Sequence, residues 1–237
     1  MTGTLKVLSI LLSYPTEQIV AAAPDLKQMI ERDGLVPAKH RRGLYGLIDE
    51  FAKRDLFDLQ ERYVLLFDRT RSLSLHIFEH IHGESRDRGQ AMVDLMQLYE
   101  QNGLHIEAKE LPDYLPLFLE FLSTLPTAEA LALLAEPLHI LTALRERHRK
   151  RKSAYTPVFG ALVALTTAKP NAQDVADLLA EPEDDPNDLK ALDRIWDEEA
   201  VTFGPGGPGG PGAPDESCPS VRDMLARMDR PRNSSAS

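Results

Sequence analysis

Apolar residues recur at intervals of three and four positions along most of the first 180 residues. Residues with this spacing share one face of an α-helix, and that face packs against neighbouring helices. Two such stripes are Leu5, Leu8, Leu11 and Leu12, and Leu44, Leu47, Ile48 and Phe51. No segment alternates apolar and polar residues with the β-branched enrichment that is typical of strands. The pattern therefore predicts an all-α fold, a single globular helical bundle with little or no sheet.

Capping and helix-breaking residues divide this pattern into separate helices. Pro15 ends the first helix, Thr16 is a suitable N-cap for the second, and Gly34 is a suitable stop. Asp55 is a suitable N-cap for a later helix. The predicted face of that helix is Leu59, Tyr63, Leu66 and Phe67.

The middle of the chain is predicted to contain a loop between helices. Residues 68–74 are polar and lack a clear period, and residues 75–80 are predicted to form a short helix that Gly83 breaks. Ser85 can cap the next helix, which Gly103 ends. The predicted apolar face of that helix is Met92, Leu95, Met96 and Tyr99.

Prolines mark the boundaries of the later helices. Thr127 begins a long helical region that Pro137 divides. Thr156 followed by Pro157 has the arrangement of an N-cap and a first helical residue, which predicts a helix over residues 158–168.

The composition changes after residue 180. Residues 181–203 are rich in Asp and Glu, and residues 204–219 consist largely of Gly and Pro. Such a linker cannot bury enough apolar surface to become ordered. We therefore expect one helical domain over residues 1–180, an acidic extension, a Gly/Pro linker, and a short helical or disordered tail over residues 220–237.

Net charge and segment lengths restrict the kind of partner and the location. The formal net charge of −10 repels phosphate backbones and attracts cationic peptides, which argues against nucleic acid as a partner. The one cysteine, Cys218, cannot form an internal disulfide, and this is compatible with a reducing compartment. The apolar run at residues 7–12 is short for a signal peptide, and no run of about 18 apolar residues occurs. We expect a cytoplasmic protein without membrane insertion.

A basic run at residues 145–152 is interpreted as the solvated end of a helix, where cations interact favourably with the helix dipole.

Residues 61–92 contain the residues that could bind a metal. His76 and His80 are four positions apart with Glu79 between them, and on a helix these side chains would share one face, as metal ligands do. A zinc-protease helix, however, has Glu directly after its first His, whereas Ile77 stands here, and no second Glu-x-x-His occurs. A metal-dependent enzyme in a helical bundle that uses His76 and His80 is kept as the alternative function.

General acid–base catalysis is a second function that residues 61–92 could serve, besides metal binding. Its carboxylates are Asp68, Glu79, Glu84 and Asp87, and its arginines are Arg69, Arg71, Arg86 and Arg88. Carboxylates near histidines can have shifted pKa values, but equal numbers of arginines would form salt bridges with them. The chain has no nucleophile elbow, phosphate-binding glycine loop or dinucleotide fingerprint. We predict no catalytic residue, no metal site and no cofactor.

Peptide recognition is the third function that residues 61–92 could serve. The apolar side chains of Tyr63, Phe67, Leu75, Ile77 and Phe78 could line a groove, and the carboxylates could pair with basic residues of a peptide. Alternatively, the apolar residues form core and the charges solvate a loop. For Phe67 and Leu75 the core interpretation is favoured, whereas for the histidines and arginines both alternatives stay open.

This stretch resembles the signature of the nitrate reductase molybdenum cofactor assembly chaperones, also called the delta subunit family, within the wider TorD/DmsD group of redox-enzyme maturation proteins. The resemblance runs through Tyr63, Phe67, Asp68, Arg69, Ser74, Leu75, His76, Phe78, Glu79, His80, His82, Gly83, Glu84, Arg86, Asp87, Arg88, Gly89, Gln90 and Met92. Residues 8–15 and 196–203 are similar to the family too, although Ala200 stands where the family has a proline. The Gly/Pro linker and the final segment depart from it.

The resemblance implies an all-helical chaperone of the TorD-like type that catalyses no chemical step. Such a protein binds the apo catalytic (alpha) subunit of respiratory nitrate reductase through the N-terminal segment of that subunit. It promotes molybdenum cofactor insertion and holds the alpha–beta complex before the complex docks at the membrane. On this basis the expected client-binding residues are Tyr63, Phe67, Asp68, Leu75, His76, Phe78, Glu79, His80, His82, Glu84, Arg86, Asp87, Arg88 and Gln90.

Overall fold

The computed structural model describes residues 2–82, 86–106 and 110–181, and eleven α-helices lie within these ranges. They are α1 (Gly3–Leu12), α2 (Glu17–Asp33), α3 (Ala38–Lys53), α4 (Leu56–Tyr63), α5 (Glu79–His82), α6 (Arg86–Gln101), α7 (Leu115–Thr124), α8 (Thr127–Leu134), α9 (Leu138–Lys150), α10 (Thr156–Leu165) and α11 (Ala172–Ala180). No strand occurs in the described ranges, and one isolated antiparallel bridge joins His76 to Tyr114. The predicted all-α fold is confirmed. Of the acidic extension predicted from residue 181, only Glu181 is described, and the linker and tail lie outside the described residues.

Helix α1 lies at the centre of the bundle, against α2, α7 and α10. The predicted stripe of four leucines on α1 is completely buried, and Val7 and Ser9 on its other sides are buried as well. The hydroxyl of Ser9 donates a 2.7 Å hydrogen bond to the carbonyl of Pro116 in α7. Only the side that carries Lys6 and Ile10 is partly exposed, so α1 belongs to the core. Each fully buried leucine stabilises the fold by roughly 1.5–3 kcal/mol relative to an exposed one.

The predicted helix ends are largely confirmed. Thr16 accepts a hydrogen bond from the first turn of α2, and Gly34 ends that helix in the left-handed conformation with φ of 66°. Asp55 caps α4 by accepting a 2.8 Å hydrogen bond from the backbone of the second helical residue. Gly103, with φ of 78°, follows the end of α6. Ser85, predicted to cap α6, lies outside the described residues.

The predicted start and end of α10 are wrong. Thr156 is already helical, and its hydroxyl donates to the carbonyl of Ser153 instead of capping the helix. The helix ends at Leu165, before the predicted residue 168. Thr166 is extended, and the two successive β-branched residues Thr166 and Thr167 have a lower helix propensity than unbranched ones.

Helix α6 buries a narrower face than its sequence predicts. Leu95 and Tyr99 are buried and Met92 is half-buried, as expected, but Met96 is 38% exposed. The prediction that Met96 lies on the buried face is wrong, because apolar spacing does not reveal how much of the helix surface the bundle covers.

A π-helical turn extends α4 over Val64–Asp68. The backbone N–H of Arg69 donates to the carbonyl of Val64, five residues earlier, at 2.9 Å. Such turns insert one extra residue into a helix and are frequent at functional sites. Phe67 is buried and the adjacent Asp68 is exposed on this turn.

No single helix of the described ranges is long and apolar enough to cross a membrane. Helices α8 and α9 meet that length and composition only when taken together, and they are bent by 69° at the break between them. Leu134, Leu138 and Ile140 of this pair are buried in the protein.

Candidate functional site

The loop between the π-helical turn and α6 is held by Asp113, a completely buried aspartate. One carboxylate oxygen of Asp113 lies 3.1 Å from Nδ1 of His76, and the other accepts a 3.1 Å hydrogen bond from the backbone N–H of Phe78. The backbone carbonyl of Asp113 accepts from Ile77 at 3.0 Å. Arg88 of α6 lies 3.6 Å from the same carboxylate. We call residues 69–82 the anchored loop, since one buried side chain fixes its backbone and connects it to α6.

These contacts overturn the predicted helix over residues 75–80. His76 lies in extended backbone, where the bridge to Tyr114 forms, and α5 begins only at Glu79. The backbone donors of residues 77 and 78 are satisfied by Asp113, so they make no helical hydrogen bonds. His76 and His80 therefore do not share a helix face, and the geometric basis of the alternative metal site is wrong. Among the described residues, no group of three or more His, Cys, Asp or Glu side chains could hold a metal ion.

Ser74 fixes the second half of the anchored loop through its contacts with Glu79 and His80. Its hydroxyl donates to a carboxylate oxygen of Glu79 at 2.5 Å, and its carbonyl lies 2.9 Å from Nε2 of His80. Burial lowers the pKa of His80, and the contact with Ser74 only partly opposes that effect. His80 is therefore neutral near pH 7 and donates to the carbonyl through Nε2. Arg71 lies 3.3 Å from the other oxygen of Glu79.

A buried arginine supports the start of the same loop. Nη1 of Arg147 donates to the carbonyl of Ser72 at 2.8 Å, and Nη2 donates to the carbonyl of Leu178 in α11. Arg147 is only 1% exposed, so its interpretation as part of a solvated basic helix end is wrong. Nη2 also lies 3.6 Å from Glu181, the last residue described before the C-terminal region. Arg147 thus joins the anchored loop to the place where the acidic extension begins.

Aromatic side chains pack beneath the loop. The ring of Phe67 lies 4.9 Å from those of Tyr63 and Tyr155 and 5.5 Å from that of His148. The hydroxyl of Tyr63 donates to the carbonyl of Leu12 at 2.9 Å. Burial lowers the pKa of His148 to about 3, so that this histidine is neutral, and burial raises the pKa of Tyr155 to about 12.

The expected client-binding residues fall into four groups by exposure. The buried ones are Tyr63, Phe67, Leu75 and Phe78, the half-buried ones are His76, Glu79, His80 and Arg88, the exposed ones are Asp68, Asp87 and Gln90, and the side chains of His82, Glu84 and Arg86 lie outside the described residues. The structure brings the half-buried residues together around Asp113 and Ser74. The buried apolar residues belong to the core, the interpretation favoured for Phe67 and Leu75. That any of the fourteen contacts a client stays a prediction.

Sequence reasoning missed the residues that hold the loop. Asp113 is 35 residues from Phe78, and Arg147 is 75 residues from Ser72. In the sequence, Asp113 is simply a polar residue before an apolar helix, and Arg147 is one of several cations in a basic run. The only available signal was that Arg147 and His148 follow the apolar period of α9, which places them on its buried face.

The apolar side chains exposed near the loop lie on α6 and before α7. Val93 and Met96 are 41% and 38% exposed, and Leu111 is 42% exposed. On α6 they share the surface with Asp87 and with Gln90, which donates to Asp94 at 2.8 Å. We call the exposed residues Asp87, Gln90, Val93 and Met96 the α6 strip. It combines exposed carboxylate, amide and apolar groups of the helix that Arg88 connects to the anchored loop.

Comparison with known proteins agrees with the resemblance seen in the sequence. The family model described as nitrate reductase delta subunit matches residues 20–161. The chain is 40% identical over 199 residues to the nitrate reductase molybdenum cofactor assembly chaperone NarJ of Escherichia coli K12, covering 84% of each chain. It is 39% identical to the probable chaperone NarW of the same strain, over 84% of this chain and 83% of that one. It is 34% identical to the probable NarJ of Bacillus subtilis 168, over 68% of this chain and 86% of that one. The chain therefore belongs to the nitrate reductase delta subunit family.

Proposed function

We propose that this protein is an assembly chaperone for a molybdenum-containing respiratory nitrate reductase. It binds the apo form of the catalytic subunit, promotes insertion of the molybdenum cofactor and acts in the cytoplasm, before the complex docks at the membrane. The observation that carries this proposal is the 40% identity, over 84% of each chain, to a protein named as such a chaperone. The chaperone itself catalyses no step in this proposal, and the molybdenum cofactor is cargo for the reductase.

The proposed client is the N-terminal segment of the catalytic subunit, with basic and apolar residues. Exposed Asp68 and Asp87 supply carboxylates for the basic residues, and Val93 and Met96 supply apolar surface. The chain's net charge of −10 attracts such a segment over longer distances and accelerates encounter. This division of roles is supported by the exposure of the α6 strip, on the helix that Arg88 connects to the anchored loop.

The buried apolar residues of the loop take part only after the loop opens. Phe78 is 1% exposed and Leu75 is 2% exposed, so neither offers surface in the conformation described. The contacts of Asp113 and Ser74 oppose opening. A client that binds the open loop better than the closed one shifts the population towards the open state. In this proposal, that shift is how client binding uncovers Phe78 and its neighbours.

Molybdenum content of the reductase is the direct test of function. In cells that lack this protein, the catalytic subunit is expected to accumulate without molybdenum, and restoring the gene is expected to return the metal. Elemental analysis of the purified reductase gives the result. Full molybdenum content in the deletion strain would contradict the proposal.

Calorimetric titration with the N-terminal peptide of the catalytic subunit tests the surface. Reversing two charges, Asp68→Lys with Asp87→Lys, is expected to weaken binding roughly tenfold, since exposed ion pairs contribute about 0.2–1 kcal/mol each. The matched control is Glu17→Lys with Asp25→Lys on α2, which makes the same change in net charge at exposed positions. Equal affinity of both double variants would place the client elsewhere on the protein.

A further inference from the structure

Helix α11 docks on the bundle through a small apolar surface. It packs mainly against α9, and Leu178 is the only one of its nine residues that is buried. Val175 and Leu179 are half-buried. By comparison, α10 buries six of its ten residues. Segments with few buried apolar groups open at a low cost in free energy, so α11 is expected to detach from the bundle more easily than the core helices do.

The end of α11 is held by Arg147 of α9. Nη2 of Arg147 donates a hydrogen bond to the carbonyl of Leu178 and lies 3.6 Å from the carboxylate of Glu181. The carbonyl of Leu178 belongs to the last turn of α11, where carbonyl groups lack partners within the helix. A cation at this end also interacts favourably with the helix dipole. Arg147 therefore caps the C-terminus of α11 from a neighbouring helix.

The same guanidinium group holds the start of the anchored loop. Nη1 donates to the carbonyl of Ser72 at 2.8 Å, so one side chain joins Ser72 to Leu178. Arg147 is 1% exposed, and a buried charge is tolerated only while it is paired and hydrogen-bonded. When α11 detaches, Nη2 loses the carbonyl of Leu178 and the carboxylate of Glu181, and water reaches the guanidinium group. The bond to Ser72 then contributes less, because water competes for both of its partners.

The second half of the anchored loop lies near the same charges. Burial lowers the pKa of His80, and, to smaller extents, the charge of Arg147 lowers it and the charge of Glu181 raises it. Both charged groups therefore act on His80, and the end of α11 borders both halves of the loop.

We propose that α11 is a latch on the anchored loop and that Arg147 transmits the state of the latch. While α11 is docked, Arg147 is buried and fixes the carbonyl of Ser72. When α11 detaches, that carbonyl is released and the loop opens more readily. The consequence for a client rests on the proposed function, in which the client binds the open loop. Loosening α11 then raises the affinity for the client, because a larger fraction of the protein is competent to bind it.

Hydrogen exchange of the full-length chain, measured without a client, tests the latch. Leu178→Ala loosens α11 and leaves Arg147 in place, whereas Arg147→Met replaces the connection with an apolar side chain of similar length. Each is expected to accelerate exchange of the Leu73 and Ser74 amides about tenfold, since these amides close the turn that contains Ser72. Adding Leu178→Ala to Arg147→Met is expected to give no further acceleration there, because both changes act through one contact.

Two matched controls separate the latch from a general loss of stability. Leu165→Ala removes a leucine at the end of α10 that has the same 8% exposure as Leu178. Arg145→Met removes a half-buried arginine of α9 that lies 2.8 Å from Glu146. Neither control is expected to accelerate the two turn amides more than the amides of α1, which report global unfolding.

Calorimetric titration with the N-terminal peptide of the catalytic subunit tests the consequence for the client. Leu178→Ala is expected to bind the peptide about fivefold more tightly than the wild type, a coupling at the low end of the usual allosteric range. Leu165→Ala is expected to bind it with unchanged affinity.

Two exchange results would overturn the latch. Turn amides that Leu178→Ala accelerates no more than Leu165→Ala does would show that α11 does not hold the loop. Further acceleration when Leu178→Ala is added to Arg147→Met would show that Arg147 does not transmit the effect. An affinity for the peptide that Leu178→Ala leaves unchanged would overturn the regulation of the client. Absence of peptide binding in every variant and in the wild type would count against the proposed function instead, because exchange decides the latch without a client.

Discussion

The centre of the bundle and the anchored loop both contain fully buried residues, yet different forces hold them. Around α1, leucines with no exposed surface pack against α7 and α10. In the anchored loop, the fixed points are polar, since Asp113, Arg147 and Ser74 each bind backbone groups or charged side chains. Apolar packing is spread over many contacts, whereas a buried hydrogen bond depends on both partners. The backbone of the loop therefore depends on a few buried polar residues, whereas α1 depends on many apolar contacts.

The largest expected effect comes from a cavity in the core. Leu8→Ala is expected to lower the free energy of unfolding by about 2–5 kcal/mol, because the cavity left by a fully buried leucine adds to the lost transfer energy. Urea denaturation measures the change. Leu111→Ala, at a 42% exposed position, is expected to stay within about 0.5 kcal/mol of the wild type. Equal losses in both variants would contradict the placement of the core.

Removing the buried carboxylate is expected to affect the loop first. Asp113→Ala leaves the Phe78 amide and the His76 ring without their acceptor, which should lower stability by about 1.5–3 kcal/mol. The distinguishing measurement is hydrogen exchange, which is expected to accelerate at the amide of Phe78 more than at amides of α1. Asp94→Ala serves as the control, because the carboxylate of Asp94 accepts from the exposed side chain of Gln90. Uniform acceleration throughout the chain would mean that core and loop open as one unit.

A pH titration probes His148, whose ring packs against Phe67, Tyr155 and Phe159 in the core. Burial lowers its pKa to about 3 in the folded protein from an ordinary 6.5, so only the unfolded chain takes up this proton between those values. The stability contribution is thus complete above pH 6.5 and declines as the pH falls towards 3. Between pH 7 and pH 5, the wild type is expected to lose about 2 kcal/mol more than His148→Phe. Exposed His105→Gln is the control, and a slope that His148→Phe leaves unchanged would argue against a buried neutral His148.

The smallest effect is expected at the surface of the loop. Arg71 is half exposed and lies 3.3 Å from Glu79, so Arg71→Ala is expected to lower stability by less than about 1 kcal/mol. Urea denaturation in low and high salt measures it, with the difference from the wild type shrinking in high salt. A loss as large as that of Asp113→Ala would mean that the surface contacts, instead of the buried carboxylate, hold the loop.

Local signals in the sequence predicted most of the helices. The caps at Thr16 and Asp55 and the stops at Gly34 and Gly103 depend on residues within one turn, and each is found where expected. The helix over residues 75–80 failed because its backbone donors bind Asp113, which is remote in sequence. The prediction that Arg147 is solvated is wrong for the same reason. A charged side chain in a basic run is buried only when distant carbonyls accept hydrogen bonds from it.

The sequence by itself determined the all-α fold, the family and the stretch in which charged and aromatic residues are concentrated, because periodicity, caps and motifs are local properties of a chain. The tertiary structure alone decided which residues of that stretch are accessible. It placed Phe67 and Phe78 in the core, left Asp68 and Asp87 at the surface, and brought Asp113 and Arg147 to the anchored loop. Burial and long-range hydrogen bonds depend on the packing of distant helices, and no single segment of sequence specifies that packing.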